Sequence, residues 1–173
     1  MDLSRRSFSL SVLAIAACRS VGAEAADGPP PKPGFALDPD PATVTPVHHT
    51  EAEWKAVLDS EAYHVLREQG TERAFTGRYW DNHAKGRYGC AGCALTLFRS
   101  DDKFESGTGW PSFTQPIKAD RVAVASDTTL GMVRDEVACA RCGGHLGHVF
   151  DDGPAPTGKR YCMDSVSLIF VAG

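Results

Sequence analysis

No stretch of the chain reaches the roughly 18 consecutive apolar residues of a membrane-spanning helix. Nor do Lys and Arg gather into a basic patch, and the net charge is −4. The first absence leaves no candidate span, and the second argues against a nucleic-acid partner. Spare cysteine is scarcest of all. Of six cysteines, Cys90 and Cys93 form one C-x-x-C pair, Cys139 and Cys142 a second, and Cys18 falls in an N-terminal leader, which leaves Cys162 alone. What the chain does have is seventeen glycines and eleven prolines, which points away from a helical bundle and toward a loop-rich, mainly β domain. An apolar fraction of 42% suffices for one domain with a real core even without the leader.

The leader covers residues 1–25. Arg5 and Arg6 stand just before an apolar run, Phe8 to Ala17, and small residues follow, the layout of a secretory signal. The arginine pair followed by Phe8 and Leu10 resembles the twin-arginine type, which exports domains already folded. That suits a domain that must take up a metal before leaving for the periplasm. Ala23-Glu24-Ala25 offers an A-x-A cleavage site, and Ile15-Ala16-Ala17-Cys18 resembles a lipobox that would anchor the protein to lipid through Cys18. Either route leaves Cys18 without a free thiol. Residues 26–46 carry Pro29, Pro30, Pro31, Pro33, Pro39, Pro41 and Pro46. They read as an extended spacer in which Lys32 and Asp38 are merely solvated.

Residues 47–173 make the domain. Thr50 and Glu53 form a capping-box pattern that opens a helix carrying Trp54, Val57 and Leu58. A second short helix begins after Ser60, carries Tyr63 and Leu66, and stops at Gly70. His48, His49, His64 and His83 lack ligand spacing and read as surface or packing residues. Arg121 to Ser126 and Gly131 to Val133 alternate as strands joined by a turn near Asp127, and Val166 to Phe170 is a final strand.

The two C-x-x-C pairs have 45 residues between them. A two-residue gap lets a tight turn present both sulfurs to one ion, and four thiolates close a tetrahedron, as in structural zinc sites. Such an ion would staple two distant hairpins. Redox pairs and, in an exported protein, two disulfides are the competing readings. A redox C-x-x-C normally opens a helix after a strand, whereas these lie among glycine-rich turns.

Cys162 lies in Arg160-Tyr161-Cys162-Met163-Asp164-Ser165, a stretch that otherwise reads as strand. A lone cysteine beside a cation is a candidate nucleophile, because only the thiolate reacts and a positive neighbour favours it. The plain alternative is a buried cysteine used as a small hydrophobe. His145 and His148 flank Gly147 and suit proton handling beside Cys162 better than metal binding, for which a third partner is missing. Trp110 sits on a glycine-flexed loop, held extended by Pro111.

Taken in order, three segments carry a resemblance. They are Glu105-Ser106-Gly107-Thr108-Gly109-Trp110-Pro111-Ser112-Phe113, then Cys142 through Pro154, then Arg160-Tyr161-Cys162. With Glu72 to Gly77 and both cysteine pairs, the chain from about Thr50 to Phe170 resembles the methionine-(R)-sulfoxide reductase B family. The resemblance implies a β-tent of two antiparallel sheets with short N-terminal helices, and a structural zinc at the end opposite the active site. It implies reduction of the R epimer of methionine sulfoxide, free or in oxidised proteins, one reductase serving each epimer. Cys162 matches the nucleophile, left as a sulfenic acid; His145 and His148 match the pair that handles the oxide and its protons. Trp110 matches the aromatic receiving the S-methyl group, with Phe150 and Thr108 also lining the pocket, and Arg160 would hold Cys162 as thiolate. Two departures stand out. Asp164 replaces the family's usual Asn, where an ionised carboxylate would raise the thiol pKa unless protonated or turned toward Arg160. Thr108 replaces the resolving cysteine of many members. A one-cysteine cycle is therefore expected, recycled by a thioredoxin-like protein or a small thiol and run by a monomer. A zinc-stapled binding module has no reason to keep Cys162, His145 and His148 together, and a thiol–disulfide oxidoreductase would use a C-x-x-C pair instead.

Overall fold

The structure is a computed structural model that describes residues 36–38, 41–127 and 134–173. The leader, Lys32 and the expected strand Gly131 to Val133 lie outside the described residues. Among the described residues, no helix is long and apolar enough to cross a membrane.

Local signals set the two helices. In α1 (Glu51–Val57), Thr50 Oγ1 accepts from the Glu53 N–H at 3.3 Å while Glu53 Oε2 accepts from the Thr50 N–H at 2.7 Å. This is the capping box expected from the sequence. Asp59 caps α2 (Ser60–Glu68), its Oδ1 accepting from Ala62 N at 2.8 Å. The end of α2 differs from expectation: Gln69, not Gly70, takes the left-handed cap at φ 56°. Trp54, Val65 and Leu66 are buried, whereas Val57, expected beside Trp54, is exposed.

Nine strands follow among the described residues: β1 (Gly86–Cys90), β2 (Thr96–Arg99), β3 (Lys103–Phe104), β4 (Ser112–Phe113), β5 (Val122–Asp127), β6 (Arg134–Cys139), β7 (His145–Phe150), β8 (Arg160–Met163) and β9 (Leu168–Ala172). They form two antiparallel sheets, a three-stranded one ordered β2-β1-β9 and a six-stranded one ordered β3-β4-β8-β7-β6-β5. β5 ends at Asp127, and the turn expected near it lies outside the described residues. Aromatic side chains join the sheets. Phe98 on β2 stacks on Phe113 of β4 with centroids 4.4 Å apart, and Tyr88 on β1 meets the same ring edge-on at 5.1 Å. All three are fully buried, each contributing on the order of 2 kcal/mol or more through apolar burial.

The proline-rich stretch is not simply a spacer where the structure describes it. Asp38 N donates to Ala94 O at 3.0 Å, Thr96 Oγ1 donates to Asp38 O at 2.7 Å, and Arg141 Nη2 meets Asp38 Oδ2 at 2.6 Å. Pro41 O accepts from the fully buried Arg121 at 2.9 Å. Asp38, expected to be solvated, thus ties the strap to both cysteine turns, because Ala94 follows one pair and Arg141 lies inside the other. Proline supplies a pre-extended backbone whose carbonyls and flanking polar groups find partners on the domain.

Candidate active site

Strand register assembles the site. Ser112 on β4 is the partner of Cys162 on β8, Cys162 is the partner of His148 on β7, and His148 is the partner of Glu136 on β6. Residues directly opposite in antiparallel strands project from the same face. Four strands, three of them consecutive in the chain, therefore lay a serine, a cysteine, a histidine and a glutamate in one transverse row.

His145 joins that row through a bulge. Three residues apart on a regular strand, His145 and His148 would point to opposite faces. The register steps from Val137 opposite Gly147 to Ala138 opposite His145, so Leu146 is the extra residue. The imidazoles end edge-to-face with centroids 5.2 Å apart. Gly147 makes this possible: its φ is 147°, and a Cβ there would lie 2.1 Å from the Cys162 carbonyl oxygen. His145 is buried, its Nδ1 is 2.7 Å from Glu136 Oε1, and its Nε2 has no partner among the described residues. With the carboxylate fixing Nδ1, the second nitrogen is left for chemistry.

Hydroxyls surround the Cys162 sulfur. Thr108 Oγ1 lies 3.9 Å from Sγ, Ser106 Oγ is 2.8 Å from Thr108 Oγ1, and Ser112 Oγ donates to Ser106 Oγ at 2.8 Å. Burial pushes the Cys162 thiol above its ordinary value; the Thr108 hydroxyl, the Arg160 charge and the Ser112 hydroxyl pull it back only in part. Arg160 acts in the expected direction, its charge lowering the thiol, but burial outweighs it. Arg160 also forms a two-pronged pair with Asp152, at 2.8 and 2.9 Å, and its guanidinium lies 4.3 Å over the Phe150 ring, so its charge is shared between the thiol and these partners. Phe150 and Arg160 are themselves cross-strand partners, one pleat repeat along from His148 and Cys162.

Trp110 is half-buried, and its Nε1 donates to Glu72 O at 3.2 Å. Pro111 O accepts from Met163 N at 3.0 Å, extending the β4–β8 ladder toward the indole. Of the two alternatives open for Asp164, a raised, protonated carboxyl fits the structure better than a turn toward Arg160. Asp164 is buried, and its Oδ1 accepts from Glu72 N at 2.9 Å. Burial pushes the Asp164 carboxyl up to about 7 despite that hydrogen bond, and Glu72's charge adds to the rise.

The remaining four described cysteines form a separate cluster. Cys90 and Cys93 sit at the β1–β2 turn, Cys139 and Cys142 at the β6–β7 turn, with all four sulfurs within 4.8 Å of one another. Cys90 Sγ is 3.6 Å from Cys142 Sγ, and Cys93 Sγ is 3.5 Å from Cys139 Sγ. A tetrahedron with metal–sulfur bonds of about 2.3 Å has edges of about 3.8 Å, so the donor set fits one ion of zinc's size and softness. No disulfide links any of the described cysteines, and Cys162 is outside the cluster.

Residues 58–172 match the profile of the SelR domain. The chain belongs to the SelR domain family. Among its relatives is a protein of Thiobacillus denitrificans named peptide methionine sulfoxide reductase MsrB, 61% identical over 121 residues, covering 70% of this chain and 92% of the relative. Proteins of the same name from Methanosarcina barkeri and Agrobacterium fabrum are 62% and 55% identical over 124 residues, covering 72% of this chain and 87% and 92% of those proteins.

Within this SelR domain, the residues singled out from the sequence fall into three groups. Cys162, His148, His145 and Thr108 converge; Arg160 and Phe150 stand next along the same strands; Trp110 and Asp164 meet through Glu72 rather than directly. Sequence reasoning missed Glu136, Ser106 and Ser112. The serines lie within the tryptophan segment, and their spacing about Trp110 was a usable signal. Glu136 gave a fainter one, an acidic residue in a strand whose alternate neighbours run toward the cysteine turn.

Proposed function

We propose that the protein reduces the R epimer of methionine sulfoxide, free or within oxidised proteins, through Cys162. The observation that carries this is the row Ser112–Cys162–His148–Glu136, with the Thr108 hydroxyl against the sulfur and His145 bulged onto the same face. The name shared by relatives at 55–62% identity supports the same reaction.

The sulfoxide seats its S-methyl group against Trp110, sulfur–aromatic contact being favourable by about 1 kcal/mol. Its oxygen faces the imidazoles. Cys162 Sγ attacks the sulfoxide sulfur as its proton passes, by way of the imidazole pair, to the oxygen. Oxygen then leaves the substrate for the cysteine: the methionine sulfur is reduced by two electrons, Cys162 is oxidised to S–OH, and the thiol hydrogen ends on that hydroxyl. Because the resting thiol is raised by burial, ionisation coupled to substrate binding fits this site better than a permanent thiolate. Thr108 and Ser112 hydroxyls would stabilise the developing charge. With four cysteines in the cluster and Thr108 where a resolving thiol would stand, an external thiol, from a thioredoxin-like protein or a small molecule, reduces the sulfenic acid directly.

Cys90, Cys93, Cys139 and Cys142 would hold one zinc ion, whose chemistry is structural because four protein ligands leave no open position. Removing it with a chelator should lower the Tm. Residues 1–25 would serve as a twin-arginine export signal to the periplasm, with Cys18 as the alternative lipid anchor; Lys at both Arg5 and Arg6 should retain the precursor in the cytoplasm.

The test of the reaction is turnover of separated R and S epimers with a thiol reductant, with Cys162→Ser alongside. R-specific turnover that vanishes in the variant is expected. Turnover of the S epimer, or undiminished activity without Cys162, would overturn the reading.

A further inference from the structure

Glu72 is buried, 5% exposed, and it uses every polar group it has on the site. Its Oε1 accepts from Ser165 N at 2.7 Å and its Oε2 from Val166 N at 3.1 Å, both in the turn that follows β8. Its main-chain N–H donates to Asp164 Oδ1 at 2.9 Å, and its main-chain oxygen accepts the indole N–H of Trp110 at 3.2 Å. Three residues on, Phe75 N donates to Gly109 O at 2.9 Å, pinning the loop just before Trp110. A carboxylate in this setting has lost its water, and two backbone N–H donors are its replacement. Neither Ser165 N nor Val166 N belongs to a strand ladder, so without Glu72 both donors of the turn lose their partner.

We infer that Glu72 is a positioning residue, a clasp that fixes the indole of Trp110 relative to the strand end carrying Cys162. Trp110 and Cys162 reach the site from separate loops and strands, and among the described residues Glu72 is the one bonded both to the indole and to the turn two to four residues beyond the nucleophile. The clasp sets the distance between the seat of the substrate methyl group and the attacking sulfur. A small error there is costly, since a misplacement of about 1 Å at a reacting centre can lower the rate on the order of a hundredfold. Asp164 completes it from the other side, so the acid that replaces an amide at that position presses on the same residue.

The inference rests on the sulfoxide reductase reading, and the experiment separates the two. In Glu72→Gln the side chain keeps its size, but one carboxylate oxygen becomes an NH2 group facing a backbone N–H. Gly77→Ala displaces the carboxylate without altering it, because a Cβ at Gly77 would lie 2.4 Å from Glu72 Oε1 and 2.3 Å from Ser165 Oγ. On folded protein of each kind, steady-state turnover of the R epimer should show KM raised about tenfold and kcat lowered, with Glu72→Asp recovering part of the loss. In the Trp110→Phe background, which has no indole N–H, Glu72→Gln should raise KM much less than in the wild type. Folded Glu72→Gln with unchanged KM, or equal effects with and without the indole, would overturn the clasp. Loss of the fold in both Glu72→Gln and Gly77→Ala would do so too, making Glu72 a stabilising residue only. Absence of turnover in the wild type would instead defeat the reductase reading.

Discussion

Cys162 and His148 face one another across β8 and β7, and the same register sets Ser112 on the far side of Cys162 and Glu136 on the far side of His148. Cys162, His148 and their neighbours in the row are thus fixed by sheet hydrogen bonding rather than by loops. Rigid strands hold geometry more closely than loops do.

Glu136→Gln removes the carboxylate that orients His145. Turnover should fall roughly three- to tenfold. Made in a His145→Ala background, the same change should cost little more, because the two act as one unit. Independent, additive losses would show that Glu136 acts elsewhere.

Gly147→Ala should be among the most damaging single substitutions in the domain. The added Cβ meets the Cys162 carbonyl oxygen at 2.1 Å in a backbone conformation that disfavours side chains. A loss of about 2 kcal/mol or more in urea unfolding is expected, with activity falling further than stability as the histidine pair diverges. A variant as stable as the wild type would mean the bulge is tolerant.

Thr108→Val deletes the hydroxyl that does most to offset burial at Cys162. The thiol pKa should rise further, and alkylation of Cys162 at fixed mildly alkaline pH should slow several-fold. Faster alkylation would contradict the role given to Thr108.

Asp164 makes stability depend on pH in a stated direction. Its ordinary value is 3.8, and burial first, then Glu72, push it up to about 7. Below the ordinary value neither state is ionised and stability is fully present. Between the two values only the unfolded chain ionises, so stability falls as pH rises, and the loss levels off above about 7. It amounts to roughly 4 kcal/mol at most. Asp164→Asn should flatten this slope. Parallel stability profiles for the two proteins would refute the assignment.

Much of this was legible in the sequence because it is local. The Thr50–Glu53 capping box, the cysteine turns and the lone Cys162 each depend on neighbours or on counting. What escaped depended on strand register or on side-chain contacts beyond the local sequence. Arg160 looked like a partner of Cys162 because it is two residues away, and its charge does act on that thiol, but its ties to Asp152 and Phe150 were not legible. Asp164 looked free to turn toward Arg160, but Glu72, 92 residues earlier, bonds it from the other side. Asp38 looked solvated because proline dominates its surroundings; its partner Arg141 lies 103 residues on. Glu136 was invisible as a site residue until β6 and β7 were paired, and no periodicity reveals that His145 and His148 share a face, because a bulge breaks the period.

The most direct measurement is a single turnover of R-sulfoxide without reductant, followed by thiol counting and mass mapping of the denatured chain. The one-cysteine cycle predicts one oxygen equivalent on Cys162, trapped by a sulfenic-acid reagent, with Cys90, Cys93, Cys139 and Cys142 all recovered as thiols. A disulfide joining Cys162 to any of those four, or an intact Cys162 thiol after methionine has formed, would contradict it.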